Sequence, residues 1–321
     1  MKILITGADG FVGRTLVQRL LVDFDRDRTP LRSPIPDREL ILVDRQFTLQ
    51  HNDPRTRCIV GSFGDAAVLR DALAAGVDIV FHLASIPGGV AEKDYDLGQR
   101  VNVNDTLVLF DQLRSLAGLR PPIVVFASTI AVYGSPMPAQ VDATTPPRPT
   151  LSYGAQKLIG EIVLQDLSRR GWLDGRSVRL PGIVARPLQA AGLVSAFMSD
   201  IIRRLATGQP FSCPVSANAV AWWMSATCCV DNLLHAARLP AQLIGDQRTW
   251  QLPALRFTIG QLVQTLAKMF GENRASLVRY EPNEQVEAGF GRFPPLDASS
   301  SEVLGFHHDG DIETLVRNAL V

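Results

Sequence analysis

The sequence has no excess of charge of either sign: 32 lysine and arginine residues face 32 aspartate and glutamate residues across 321 positions. A balanced chain offers no electrostatic footprint for nucleic acid or for an anionic membrane surface. No apolar run approaches the length of a bilayer span, although 46% of the chain is hydrophobic. No charged leader precedes a hydrophobic signal; the chain enters a strand-like run at its second residue, so a cytoplasmic location is expected. Cysteine is scarce, with four in all. Cys58 lies in a strand-like run, Cys213 precedes a proline, and Cys228 and Cys229 are adjacent, so neither a disulfide framework nor a metal site is expected. Internal repeats and low-complexity segments are missing too. What remains is enough apolar chain for one large domain, or for a domain with a lobe.

The first 185 residues alternate short apolar runs with longer helix-compatible segments, the pattern of repeated strand–helix units around a parallel sheet. Strands are expected at 2–6, 40–44, 57–61, 78–83, 123–128 and 177–180, and helices at 11–22, 65–75, 98–117 and 153–169. The expected fold class is α/β, a doubly wound parallel sheet of Rossmann type with ligands at the carboxyl ends of its strands. Residues 23–38, charged and holding three prolines, read as a surface loop. After Pro187 the alternation weakens, with helices expected at 193–206, 231–238 and 259–270. The sheet domain is thus expected over 1–185 and a smaller interleaved substrate lobe over 186–321, part of 218–240 returning to the sheet domain.

Gly7, Gly10 and Gly13 follow the first strand and open the first helix. That context suits a dinucleotide: Gly7 permits a tight turn, Gly10 lets backbone approach a pyrophosphate, and Gly13 lets helix and strand pack closely. The helix N-terminus, around Phe11 and Val12, adds free amides and the positive end of its dipole. Asp44 ends the second strand, where a carboxylate accepts hydrogen bonds from ribose hydroxyls and repels a 2′-phosphate. This favours NAD over NADP, although neighbouring Arg45 leaves room for NADP.

Tyr153 and Lys157 stand four residues apart in a segment that reads as helix, so both side chains share one face. With four tyrosines and four lysines in the chain, chance supplies about 0.05 such spacings. A phenol titrates near ~10 in water; an adjacent ammonium stabilises its phenolate and draws the pKa down, which makes it a usable base. Lys157 is the expected cation.

Gly7-x-x-Gly10-x-x-Gly13, His82-Leu-Ala-Ser85, Asn102, Ser128-Thr-Ile-Ala-Val-Tyr-Gly134, Tyr153-x-x-x-Lys157, Val230-Asp231 and Leu304-Gly-Phe306 together make nearly the whole chain resemble the extended short-chain dehydrogenase/reductase family, in its NAD-dependent epimerase/dehydratase branch. The resemblance implies three catalytic residues: Tyr153 transfers the proton, Lys157 also binds the nicotinamide ribose, and Thr129 orients the substrate oxygen. A hydride leaving a carbinol carbon makes its hydroxyl acidic, so a phenolate can take the proton while Thr129 holds the oxygen. Contacts to NAD are implied for Gly7, Gly10, Phe11, Val12, Gly13, Asp44, Ser62, Phe63, Leu83, Ala84, Asn102, Tyr153, Lys157 and Pro181. Ser62-Phe63 replace the aspartate–aliphatic pair that relatives place against the adenine. His82 is expected to pack or hydrogen-bond within a buried strand.

Nucleotide-sugar members of that family place an asparagine just after the sixth strand and an arginine shortly before the valine–aspartate pair, both for the diphosphate. Here Pro181-Gly182 stand at the first position, and the segment from Ala221 to Val230 has no arginine. Two phosphates would lack counter-charge in a desolvated cleft, which points to a smaller substrate. The run Arg179-Leu-Pro-Gly-Ile-Val-Ala-Arg186-Pro187 and the stretch Trp222-Trp223-Met224-Ser225 are similar to the D-erythronate 2-dehydrogenase subgroup. That likeness implies oxidation of a four-carbon sugar acid at C2 with NAD. Such a substrate needs a cation for its carboxylate and polar groups for its hydroxyls. Arg186 is the candidate cation, against the alternative of a surface or interlobe ion pair, and Ser85, Ser128 and Ser225 are candidate hydroxyl contacts. Trp222 and Trp223 face opposite ways on a strand, so at most one should line the pocket. Two other readings stay open: a nucleotide-sugar epimerase with tightly held NAD, and a non-catalytic dinucleotide-binding regulator, against which the intact tyrosine–lysine pair counts. A homodimer through the helices at 98–117 and 153–169 is implied, with Leu107, Phe110, Ile159 and Val163 serving the interface or the sheet-facing core.

Overall fold

A computed structural model of the chain describes residues 1–26, 38–116, 120–186 and 194–320. Among these, twelve strands occur: β1 (Lys2–Thr6), β2 (Glu39–Asp44), β3 (Thr56–Val60), β4 (Ile79–His82), β5 (Ile123–Thr129), β6 (Asp174–Leu180), β7 (Gly182–Val184), β8 (Phe211–Cys213), β9 (Val220–Ser225), β10 (Thr249–Gln251), β11 (Leu255–Thr258) and β12 (Val278–Tyr280). Seven of them form one parallel sheet in the order β10-β6-β5-β4-β1-β2-β3. Their sequences explain the arrangement: Ile3, Leu4 and Ile5 of β1, Leu40 to Val43 of β2 and Val124 to Phe126 of β5 are all buried, as strands covered on both faces require. Strand order reverses between β1 and β4, and that switch opens a crevice at their carboxyl ends.

On one face Ile3, Ile5, Leu16 and Leu20 share a core with Cys229, Leu233 and Leu234 of the Ala226–Arg238 helix. That helix returns from late in the chain to lie beside the Phe11–Arg26 helix, where Arg19 pairs with Asp231 at 2.6 Å. On the other face Leu4, Val80 and Val124 pack with Phe110, Leu113 and Leu164. A second sheet, β11-β9-β7, and the β12-β8 pair build the smaller lobe around Trp222, Trp223, Ile201, Leu262 and Leu315.

The first six strands lie where their apolar runs place them, although β6 starts at Asp174, three residues earlier than expected. β10 was not legible, because three residues are too few to show a period. Asp23 to Arg26 continue the first helix instead of opening the loop, anchored by the buried Phe24; the rest of the loop, at 27–37, lies outside the described residues. The helix expected at 98–117 opens with a π-helical stretch, Gln99–Asp105, before Thr106–Ser115, and residue 117 lies outside the described residues. Residue 193 of the next expected helix lies outside them too, and the α-helix there is Phe197–Ala206. Within 218–240, β9 belongs to the smaller sheet and the Ala226–Arg238 helix packs on the seven-stranded sheet, which β10 also joins. Cys58 is exposed, Cys213, Cys228 and Cys229 are buried, and all four are free. No helix among the described residues is long and apolar enough to cross a membrane.

Candidate active site

The chain leaves β1 at Thr6 and turns into the Phe11–Arg26 helix at the crevice. The turn has no room for a side chain at its end: a Cβ on Gly13 would lie 2.1 Å from the Gly7 carbonyl oxygen. The first bond of the helix runs from Arg14 N to Gly10 O at 2.9 Å, which leaves the amides of Phe11, Val12 and Gly13 for an anion. Asp44 ends β2 beside this turn, its carboxylate accepting from Asp9 N at 2.9 Å and from Arg45 N at 2.7 Å. Burial pushes its pKa up, against those two bonds. Arg14 is committed to Asp9 at 2.9 Å, so it offers no free cation to a 2′-phosphate.

Leu83 and Ala84 enter the crevice on the loop after β4, with Leu83 N bonded to Thr6 O at 3.1 Å and Ala84 N to Thr6 Oγ1 at 3.4 Å. The Ser62 hydroxyl is turned to Asp105 and to the Gly64 amide. Phe63 is a core ring, edge-on to His82 with centroids 4.8 Å apart. His82 bonds through Nδ1 to Thr6 at 2.6 Å and through Nε2 to Thr106 at 3.0 Å, and burial holds its pKa well below the ordinary value. It packs and hydrogen-bonds as expected. Pro181 is buried where β6 ends.

Tyr153 stands in the first turn of the Ser152–Arg169 helix. Burial raises its pKa, while the hydroxyls of Ser85 and Thr129, as hydrogen-bond partners, and the charge of Arg186 pull it down. Lys157, one turn further on the same face, is 2% exposed. Its Nζ lies 4.7 Å from the Phe126 ring centroid and 5.9 Å from that of Tyr153. Burial brings the amine down to about 7, opposed by the negative charge of Glu161. The expectation that Lys157 draws down the Tyr153 pKa is corrected here. The lysine lies over Phe126, where burial brings it down to about 7, the cation acting on the phenol is Arg186, and burial outweighs it. Arg186 follows β7 with its guanidinium 5.7 Å from the Phe11 ring centroid. No carboxylate among the described residues pairs with it; burial lowers its pKa against the pull of Tyr153 and Cys229.

Residues 3–245 match the NAD dependent epimerase/dehydratase family. The chain belongs to this family. NAD is its cofactor, and the sealed turn at Gly13, the open helix amides and the oriented Asp44 suit the pyrophosphate and ribose of such a dinucleotide. The chain is 36% identical to a D-erythronate dehydrogenase of Cupriavidus necator, over 99% of this chain and 97% of the relative. It is 30% identical to a D-erythronate dehydrogenase of Haemophilus influenzae, over 99% and 98%. Among solved structures it is similar to a nucleoside-diphosphate-sugar epimerase from Agrobacterium tumefaciens, with a TM-score of 0.88, 34% identity, and 98% of this chain and 92% of that one covered.

Within this family member three expected contacts are corrected. Asn102 is buried, with its Oδ1 accepting from Ile86 N at 2.7 Å and its Nδ2 donating to Ile86 O at 3.0 Å and Gln156 Oε1 at 2.8 Å. It clamps the loop that carries Ser85, and both of its amide hydrogens are already donated within the protein. Ser128 is buried and donates its hydroxyl to Glu161. Ser225 is fully buried, caps the Ala226–Arg238 helix through Cys228 N at 3.0 Å, and donates to Asp309. Of the three serines only Ser85 reaches the phenol. Trp222 and Trp223 are both core, their indole N–H groups donating to Pro294 O at 2.9 Å and Phe257 O at 3.4 Å, so neither lines a pocket.

The two positions that hold phosphate-binding side chains in nucleotide-sugar members are closed. A Cβ on Gly182 would lie 2.7 Å from Met198 Cε and 2.8 Å from Trp222 O, and Met224 is fully buried. Sequence reasoning missed Glu161 and Arg179, which form a bidentate pair at 3.0 and 2.7 Å beneath Lys157. A signal was present: Tyr153, Lys157 and Glu161 recur every four residues, on one helical face.

Proposed function

We propose that the protein is an NAD-dependent dehydrogenase that oxidises D-erythronate at C2 to 2-dehydro-D-erythronate. The observation that carries the reading is Arg186, a largely buried guanidinium with no carboxylate partner among the described residues, whose charge acts on the Tyr153 phenol. An anionic group seated there brings its own α-carbinol to the phenol, the Thr129 hydroxyl and the Ser85 hydroxyl. Tyr153 is the general base that takes the proton of the C2 hydroxyl, and Thr129 and Ser85 hold that oxygen. NAD, when bound, would supply the hydride acceptor. The glycine turn, Phe11, Val12 and Asp44 would hold its phosphates and adenosine ribose, Lys157 its nicotinamide ribose, and Leu83, Ala84 and Pro181 line the crevice between. Both D-erythronate dehydrogenases match over nearly the full length, and the closure at Gly182 leaves no side chain for a diphosphate.

A nucleotide-sugar epimerase is the second reading, favoured by the likeness to the Agrobacterium tumefaciens structure. Absorbance at the NADH band separates the two: the dehydrogenase gains signal on mixing D-erythronate with NAD, whereas an epimerase returns its hydride and gains none. Tyr153→Phe should lower the rate by about 10²- to 10⁴-fold with NAD binding retained. Absence of turnover with every four- to six-carbon aldonic acid would sink the proposal.

The same reading includes a homodimer and a cytoplasmic location. Val108, Ile159 and Ile162 are exposed apolar side chains on the Thr106–Ser115 and Ser152–Arg169 helices and support a dimer face. Phe110 is buried in the sheet-facing core, and Leu107 and Val163 pack against it, so of the four residues considered from sequence Ile159 alone faces outward. Four free thiols suit a reducing compartment.

A further inference from the structure

We infer that Glu161 is a positioning residue for hydride transfer: clamped by Arg179 and Ser128 one helical turn beyond Lys157, it holds that lysine in its charged form. The inference rests on the dehydrogenase reading, in which Lys157 must be an ammonium to bind the nicotinamide ribose.

Glu161 is buried, and both of its carboxylate oxygens have partners. Arg179 donates to it from Nε at 3.0 Å and from Nη2 at 2.7 Å, and Ser128 donates to the same carboxylate. Arg179 is itself fixed, with Nη1 donating to the Tyr133 hydroxyl at 3.1 Å and its guanidinium 5.1 Å from that ring's centroid. The carboxylate therefore has one place to stand, one turn from Lys157 on the same helical face. The groups facing Lys157 are few. From its own helix come Tyr153 and Glu161, from β4 His82, whose depressed pKa keeps it neutral, and from β5 the ring of Phe126; Arg179 of β6 pairs with Glu161. Glu161 is the negative charge among them, and it opposes the burial that drives Lys157 toward the neutral amine.

The chain contains four lysines, so their side chains can be followed individually by ε-carbon NMR in full-length protein labelled with ¹³C-lysine, with and without NAD. The Lys157 signal is the one lost in Lys157→Met. In the wild type without NAD its midpoint should fall at about 7. Glu161→Gln should move the midpoint to lower pH, so that Lys157 changes from about half charged at pH 7 to mostly neutral, and the high-pH limb of turnover should move down with it. Arg179→Met, which leaves the carboxylate without its counter-charge, should move the midpoint up. Glu161→Asp, which keeps the charge, should restore most of the wild-type profile. A purely structural role would shift neither midpoint, or both in one direction, and either result overturns the inference.

Should Glu161→Gln fail to fold with Arg179 left unpaired, Glu161→Gln combined with Arg179→Met removes both charges. A Lys157 midpoint in that double variant no lower than in Arg179→Met overturns the inference equally. If the midpoints move as stated but the wild type reduces no NAD with any four- to six-carbon aldonic acid, the dehydrogenase assignment fails and the electrostatic coupling stands. If the wild type forms NADH with D-erythronate and the midpoints do not move, the reverse holds.

Discussion

Replacing Lys157 by methionine should stabilise the fold while abolishing turnover. The amine is 2% exposed, and its pKa falls from 10.5 to about 7. The folded chain thus binds this proton more weakly than the unfolded chain does. The resulting penalty is fully present below pH 7, shrinks as pH rises, and vanishes above 10.5. At about 1.36 kcal/mol per pKa unit the penalty is about 5 kcal/mol in acid and about 4 kcal/mol at pH 7. Methionine has a similar length, can keep the contact with Phe126, and carries no charge. Domain stabilities run to about 5–15 kcal/mol, so the gain is large on that scale. Urea unfolding of wild type and Lys157→Met at pH 7, 8.5 and 10 measures it, and the difference between the two proteins removes every other titrating group. The variant should be several kcal/mol more stable at pH 7, with its advantage shrinking toward pH 10. An advantage under about 1 kcal/mol at pH 7, or one that does not change with pH, would refute the reasoning.

Other outcomes test the rest of the site. Arg186→Met should raise KM for D-erythronate by about 100-fold, the loss expected when one partner of a desolvated charge pair is removed, with NAD affinity unchanged by tryptophan fluorescence. An unaltered KM would remove Arg186 as the carboxylate partner. Ile162→Asp places a charge on an exposed apolar face and should turn a dimer into a monomer in sedimentation velocity. A wild type that sediments as a monomer at micromolar concentration would rule that interface out.

Most of the sheet domain was readable because its determinants are local. Apolar runs such as Lys2–Thr6 mark strands buried on both faces, glycines at 7, 10 and 13 mark a turn with no room for a side chain, and the four-residue spacing of Tyr153 and Lys157 is one helical turn. β10 and the return of the Ala226–Arg238 helix were not readable, since a three-residue strand has no period and a helix does not announce which core it joins. The serines show the same limit inside the site. Ser85, Ser128 and Ser225 are alike as residues, but one meets the phenol, one is consumed by Glu161, and one caps a helix.

The sequence by itself determined that a dinucleotide turn and a tyrosine–lysine pair exist, because each is written within a few consecutive residues. Only the tertiary structure decided what charge each group carries and which groups are spent. Arg179 and Arg186 sit seven residues apart in one run, and packing alone brings Glu161 to the first and, among the described residues, no carboxylate to the second. Lys157 is an ordinary lysine in the chain, and burial over Phe126, opposed by Glu161, places its proton near neutrality. Burial and counter-charge come from segments distant in sequence, so no local pattern encodes them.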